Sequence, residues 1–425
     1  MPTTSDIPAM PTAAQKRSRL VTAAAYVVAI LLGIACGLWG GTLAQGFADF
    51  MSSVFVRLFK FISIPIIAVS IISTLARISQ SSESGRIFRH TIFYTLVTTI
   101  LAASTAAVLY VIFKPSNVSA EGAKNIANIT EHSYMSYLQS VVPDNFLSPF
   151  LSANVLSVLL ISAAVGIAIA CMKRGSKTQE MLMTFFSALQ EVLFILVKWL
   201  IAVLPLGIFG FISNFVVEMK QGVSIGGLGT YFGVVLGANF IQMLVVLPLF
   251  MLLRGVNPLR VAKGMAPALA VAFFSKSSAG TLPVTMNCSE NNVGVHREVA
   301  RFVLPICTTI NMNGCAAFIF TTVIFLMQNA GAAITPWTMV IWIFIATLAA
   351  VGNAGVPMGC FFLSASLLAS MNVPIILMGV ILPIYAVIDM IETTLNVWSD
   401  SSVAAMVNAD LYGRDGSERL ESAES

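Results

Sequence analysis

The sequence predicts an all-α polytopic membrane protein, and three observations lead there. Apolar residues make up 57% of the 425 positions and charged residues only 10%, against about 25% charged in soluble domains. Several segments stay apolar for around 20 residues or more, the length a helix needs to cross a bilayer. Near the carboxyl end, Asp389, Glu392, Thr393, Asn396 and Asp400 recur at helical offsets and form one polar stripe, fed by a charge-free run from Val373 to Ile388. An acid at the bilayer centre costs about 2.5 to 3.5 kcal/mol on insertion scales, so several on one face imply a lined, occupied cavity that binds a solute or ion. A buried structural network is the competing reading, as is a helix that has left the membrane by Asp400.

The composition also excludes other classes. The basic residues behind the net charge of +4 sit at the ends of apolar runs and form no patch, so no nucleic-acid partner is implied. Cys36, Cys171, Cys288, Cys307, Cys315 and Cys360 have no metal-ligand spacing, so neither a disulfide nor a zinc framework is expected, and most should be small buried hydrophobes.

Residues 1–19 are polar and end in Lys16, Arg17 and Arg19, directly before the apolar run from Leu20 to Trp39. That run is long and lacks a small-residue cleavage site, so it reads as a retained first span with a cytoplasmic amino terminus. Further spans are expected at Val54 to Ile78, Ile87 to Phe113, a segment ending near Met172, a segment within Leu182 to Val217, and Leu228 to Leu253, with a kink at Leu204-Pro-Leu-Gly. Arg77, Arg86, Arg89, His90, Lys173, Arg174, Lys177, Arg254, Arg260 and Lys263 fall on one set of alternate loops. The loops at Gly41 to Asp49 and Glu218 to Gly222 carry little positive charge, as the positive-inside rule requires. The polar insert from Lys114 to Pro149 then faces outside, and its Asn117-Val-Ser and Asn128-Ile-Thr triplets are chance matches to the glycosylation acceptor pattern.

From Pro258 onward the apolar runs are interrupted. Phe274 to Pro283 reads Phe-Ser-Lys-Ser-Ser-Ala-Gly-Thr-Leu-Pro, and Val351 to Gly359 reads Val-Gly-Asn-Ala-Gly-Val-Pro-Met-Gly. Each suggests a re-entrant hairpin, since non-helical backbone at membrane depth survives only where it lines a protein-buried or watery cavity. Two such segments in corresponding positions of two repeats point to a transporter binding site. Between them, Thr308-Thr-Ile-Asn-Met-Asn-Gly-Cys interrupts the apolar segment from Phe302 to Met327. Unwinding there would free carbonyl oxygens that, with the Asn side chains, suit a hard cation such as sodium; a simple polar kink is the alternative.

These motifs resemble the dicarboxylate/amino acid:cation symporter family, the glutamate-transporter homologues. Lys276-Ser-Ser-Ala-Gly-Thr-Leu-Pro-Val-Thr is similar to the serine-rich first hairpin tip, Ile310-Asn-Met-Asn-Gly to the family's Asn-Met-Asp-Gly-Thr break, Gly352-Asn-Ala-Gly-Val-Pro to the second tip, and Asp389 to Asp400 to the last helix. The resemblance implies eight transmembrane helices plus two re-entrant helical hairpins, built as inverted repeats into a scaffold and an elevator-type transport domain, and assembled as a homotrimer in a bacterial inner membrane. It implies helices 1–6 within residues 20–253, with helices 3 and 6 on the transport side, then the substrate and ion site within residues 254–410 and a polar tail at 411–425. By position, Ser277, Ser278, Gly355, Val356, Asp389, Thr393 and Asn396 would touch an amino acid, with Asp389 on its ammonium group; Lys276, Cys315 and Glu392 complete the candidate substrate set. A zwitterion entering a dry site needs one anion for its amine and donors for its carboxylate, which the hairpin amides near Ser278 and Val356 can supply. Coupling sodium ions would be held by Thr98, Thr99, Asn311, Asn313, Asn396 and Asp400, with main-chain carbonyls near Cys307, Thr309, Ala350 and Gly352.

Two departures from the family pattern bear on substrate and ions. Glu392 stands where members with acidic substrates carry an Arg, which disfavours aspartate and glutamate. The string from Asp389 to Asp400 is closest to the serine/threonine branch, so a small neutral amino acid is expected. Lys276 either neutralises Glu392 or Asp389, the favoured reading, or binds a substrate carboxylate itself, which would give an acidic amino acid or dicarboxylate symporter. An unpaired Glu392 would instead suit a cationic substrate or carry H+. The second departure is Asn313, with Cys315 after it, where the family has Asp and Thr. Losing that carboxylate weakens one sodium site and opens the way to fewer sodium ions, or to partial proton coupling. An enzyme built on Ser277 and Lys276 would leave the other two breaks unexplained, and nothing resembles the repeated filter of a channel.

Overall fold

The computed structural model describes residues 13–78, 85–118, 142–151, 155–173, 175–220, 226–353, 355, 358–371, 373–374 and 376–412. Asn128, Arg174, Val356, the first twelve residues and most of the two polar tails and of the expected outer insert lie outside them. Every regular element among the described residues is helical. The first helices are α1 (Ala13–Trp39), α2 (Thr42–Ile78), α3 (Gly85–Phe113), α4 (Val155–Cys171) and α5 (Lys177–Lys220). Then α6 joins Gly226–Ile241 to Leu247–Leu253 through a π-helical turn at Gln242–Val246. The segment expected as a loop from Gly41 is helical from Thr42 onward, because its polar residues include no helix breaker after Gly41 except the single Gly46, which one flexible position does not overcome. Similarly, α5 runs to Lys220 and continues through Pro205.

The second half folds as interrupted pairs. α7 (Pro258–Ser275) turns into α8 (Ser278–Cys288), α9 (Arg297–Ile310) is separated from α10 (Asn313–Asn329) by Asn311 and Met312, and α11 (Pro336–Val351) precedes α12 (Gly359–Ser370). The last helix, α13, spans Ile376–Tyr412. The first interruption is shorter than the sequence suggests. Only Lys276 and Ser277 leave the helix, and Pro283 lies inside α8, because the Ser277 side chain caps the new helix by accepting from the Gly280 amide.

α10 is the centre of the packing. It touches α3, α6, α11, α12 and α13, and all of its first fourteen residues, Asn313 to Leu326, are buried. A helix apolar on all sides must be covered on all sides, and this one is. α1, α2 and α4 pack around α5, and α7, α8 and α9 pack on α13. Leu31, Leu43, Phe61, Ile112, Trp199 and Leu253 face outward, each more than half exposed. Four helices among the described residues are long and apolar enough to cross a membrane. With these outward apolar side chains, the chain is a multi-pass membrane protein.

Candidate functional site

All three interruptions meet against one face of α13. Lys276 ends α7 in the left-handed region at φ 56°, and Ser277 then runs extended. The Ser277 hydroxyl accepts from the Gly280 amide at 3.1 Å and donates to the Gly355 carbonyl at 3.3 Å, so the two tips touch. Gly355 has φ 64°, and a Cβ there would lie 2.8 Å from the Thr308 carbonyl oxygen; glycine satisfies both constraints. Three residues on, the Met358 amide donates to Asp389 Oδ2 at 3.2 Å. The tip of the second pair thereby closes over the acid.

Asp389, Glu392, Thr393, Asn396 and Asp400 are each at most 5% exposed, so the stripe is interior along its whole length. Asp400 is as deeply covered as Glu392, at 1%. Glu392 Oε2 accepts from the Tyr385 hydroxyl at 3.0 Å, while Oε1 is buried without a hydrogen-bond partner among the described residues. Gly314 lets α10 press against this residue, since a Cβ on it would come within 2.7 Å of Glu392 Cα. Lys276 lies within electrostatic reach of Asp389 and forms no ion pair with Glu392 among the described residues. The expected neutralisation therefore points to Asp389, one turn nearer the first tip.

The cysteines differ from expectation. Cys315 and Cys360 form a disulfide with Cα atoms 5.4 Å apart, joining the start of α10 to the start of α12. Sequence spacing carries no signal of this pairing, which arises because two helix starts converge. The Asn353 amide donates to both sulfurs, at 2.9 Å to Cys315 and 3.3 Å to Cys360, and Asn396 Nδ2 lies 3.5 Å from Cys315. A Glu392 carboxylate oxygen lies within 4.8 Å of the same sulfurs. Ser278, at the first turn of α8, is buried; Thr393 is buried beside Glu392.

A second polar cluster lies deeper, between α3, α6, the Asn311–Met312 break and α13. Asn311 Nδ2 donates to Asp400 Oδ1 at 3.0 Å and to Ser399 Oγ at 2.9 Å. The Thr98 hydroxyl donates to Asn311 Oδ1 at 3.1 Å, whereas Thr99 turns to its own helix and donates to the Thr95 carbonyl at 2.7 Å. Gln242, in the π-turn of α6, donates through Nε2 to the Thr98 carbonyl at 3.0 Å and to Asn313 Oδ1 at 2.8 Å. Asn396 Oδ1 accepts from the Gly314 amide at 2.8 Å. Of the carbonyls expected as ligands, that of Cys307 accepts from the Asn311 amide at 2.8 Å and that of Ala350 from the Asn353 amide at 3.0 Å. Thr309 points its hydroxyl at the Ile306 carbonyl, 2.8 Å away. A buried carboxylate with one amide donor, Asn311, and one hydroxyl donor, Thr308, keeps lone pairs for a hard cation, so the surroundings of Asp400 fit sodium.

Sequence reasoning passed over Gln242, Ser399, Tyr385, Asn353 and Cys360. Gln242 left a trace, because it and Asn239 are the only amides in the apolar run from Leu228 to Leu253. Asn353 stands in the second interrupted segment but was given no role there, and Ser399, Tyr385 and Cys360 carried no signal of their contacts.

The model of the sodium:dicarboxylate symporter family matches residues 23–410. Neutral amino acid transporter B(0) of Rattus norvegicus is 28% identical, over 92% of this chain and 80% of its own length. Neutral amino acid transporter A of Bos taurus is 27% identical over 92% and 81% of the two chains. Excitatory amino acid transporter 3 of Homo sapiens is 28% identical over 88% and 82%. The match spans all three interruptions and the whole polar stripe, and the chain belongs to the sodium:dicarboxylate symporter family.

Proposed function

We propose that the chain is a secondary active amino acid:cation symporter that couples sodium entry to uptake of a small neutral amino acid of the serine or threonine type. Overall identity does not choose the substrate, being 27% to 28% to a neutral and to an excitatory amino acid transporter alike. The observation that carries the choice is Glu392, buried, hydrogen-bonded by Tyr385 through one oxygen and, among the described residues, without a partner on the other. A substrate side-chain carboxylate brought beside this acid would face another carboxyl group with no cation between them, whereas a substrate hydroxyl can donate to the open Oε1. Asp389 takes the ammonium group in place of the Met358 amide, and amides at the start of α8 receive the carboxylate. Ser277, Ser278, Thr393 and Asn396 line the same pocket in this reading; Val356, which the resemblance adds to them, lies outside the described residues. Asp400, with Asn311 and Asn396 nearby, takes a sodium ion.

The same reading gives eight spans and two re-entrant hairpins, a scaffold and a transport domain that moves as an elevator, and a homotrimer in a bacterial inner membrane with the amino terminus in the cytoplasm. Two further observations support it: the tips are the covers of an interior site, and the helices around it present apolar side chains outward. The test is uptake of radiolabelled serine into proteoliposomes, with and without a sodium gradient, against unlabelled threonine, alanine, aspartate, glutamate and arginine. Sodium-dependent uptake blocked by the small neutral group is expected. Block by aspartate alone, or by arginine alone, defeats the assignment of Glu392, and uptake driven by a proton gradient without sodium defeats the assignment of the ion.

A further inference from the structure

Resting on that reading and deepening its ion coupling, we infer that the side-chain amide of Asn313 stands permanently where a coupling cation would otherwise bind. The cluster of Thr98, Asn311 and Ser399 then takes no ion, and the protein transports one cation fewer per amino acid than it would with an acid at position 313. The argument begins at a main-chain atom. The Thr98 carbonyl can only accept, so the Gln242 nitrogen 3.0 Å away must be the Nε2 donor. The same Nε2 lies 2.8 Å from the Asn313 side chain, which must therefore turn its oxygen toward Gln242. This leaves Asn313 Nδ2 facing the opposite way, into a group of three oxygens: Ser399 Oγ at 2.8 Å, Asn311 Oδ1 at 2.9 Å and Thr98 Oγ1 at 3.3 Å.

Three oxygens from α3, the break and α13, converging on one point in a buried site, are the surroundings of a hard cation. Here the point is held by an amide nitrogen, which offers protons and no lone pair, and which sits at hydrogen-bonding distance from each oxygen. An ion cannot enter without breaking these bonds and turning the amide round, and the Gln242 donor resists that rotation. Charge agrees with geometry: Asn313 and all three of its oxygen partners are neutral, and Asp400, the acid next to Ser399 in the chain, is engaged by the other amide, Asn311. A neutral donor thus completes a neutral cluster.

The test uses the full chain in proteoliposomes and reads the sodium-to-serine ratio from the membrane potential at which net serine flux vanishes under fixed gradients. Asn313→Asp is expected to raise the ratio by one sodium, and a ratio unchanged in a transporting Asn313→Asp protein overturns the inference. Should that variant fail to fold, Ser399→Ala decides the matter in the otherwise native chain. A sodium half-saturation within about twofold of the parent supports a cluster without an ion, and a rise of tenfold or more overturns it. Absence of any sodium-driven serine uptake in the parent protein would sink the proposed function; transport with the wrong ratio would sink this inference alone.

Discussion

Ser277 and Gly355, 78 positions apart in the chain, meet through a hydroxyl-to-carbonyl hydrogen bond of 3.3 Å. This one contact makes the two turns into a single cover over Asp389, Glu392 and Asn396. Since those three side chains are at most 4% exposed, solute can reach them only when the cover opens.

Asp389→Asn is expected to abolish serine uptake while leaving the fold intact. Removing the anion that would pair with a buried ammonium costs binding about 3 kcal/mol, or roughly 100-fold in half-saturation. Thermal unfolding in detergent should move little, because a buried acid is itself a poor source of stability. Uptake near the parent rate would contradict the role given to Asp389.

Glu392→Gln should let aspartate compete with serine roughly tenfold better, since it removes the acid that an acidic side chain would face. Glu392→Arg should go further and bind aspartate directly. Competition curves that stay superimposed on the parent's would show that residue 392 does not choose the substrate. Tyr385→Phe, which strips the one donor to Glu392, should weaken serine binding by about 1 to 3 kcal/mol without admitting aspartate.

Cross-linking Cys315 to Cys360 ties the broken helix to the second turn. Uptake by protein oxidised with diamide is expected to fall at least severalfold and to recover in dithiothreitol, whereas Cys360→Ala should transport alike under both conditions. Equal rates for oxidised and reduced parent protein would mean that the turn opens without separating these helix starts.

Gly314→Ala is expected to lower the melting temperature in detergent. Its Cβ would meet Glu392 Cα at 2.7 Å, and both are backbone-anchored, so the two helices must separate, at a cost of about 1 to 3 kcal/mol. An unchanged melting temperature would show that the α10–α13 contact is looser than its geometry.

The parts of the site that were legible in the sequence are those written within one element. The stripe from Asp389 to Asp400 could be read because helical spacing alone puts those residues on one face, and the break at Asn311 because two amides and a glycine interrupt an apolar run. The tips were visible for the same reason, although capping by Ser277 made the first one far shorter than its polar content suggested. Contacts between elements were not legible. Nothing in the sequence joins Gln242 to Asn313, 71 positions away, or Cys315 to Cys360, 45 away; both pairs exist because α10 is packed on every side. The helical start at Thr42 was missed because a short polar stretch between apolar runs reads as a loop whether or not it is coiled.

The amide at position 313 also bears on how far the cell can concentrate its solute. Every positive charge moved inward with the amino acid adds about 2.3 kcal/mol of driving force per 100 mV of membrane potential, besides the sodium gradient itself. A carrier with one such charge fewer reaches a lower ceiling of accumulation, and it draws down the sodium gradient less with each turnover. On the inference drawn above, a chain whose inner cluster is closed by nitrogen exchanges concentrating power for a smaller movement of ions with each molecule carried.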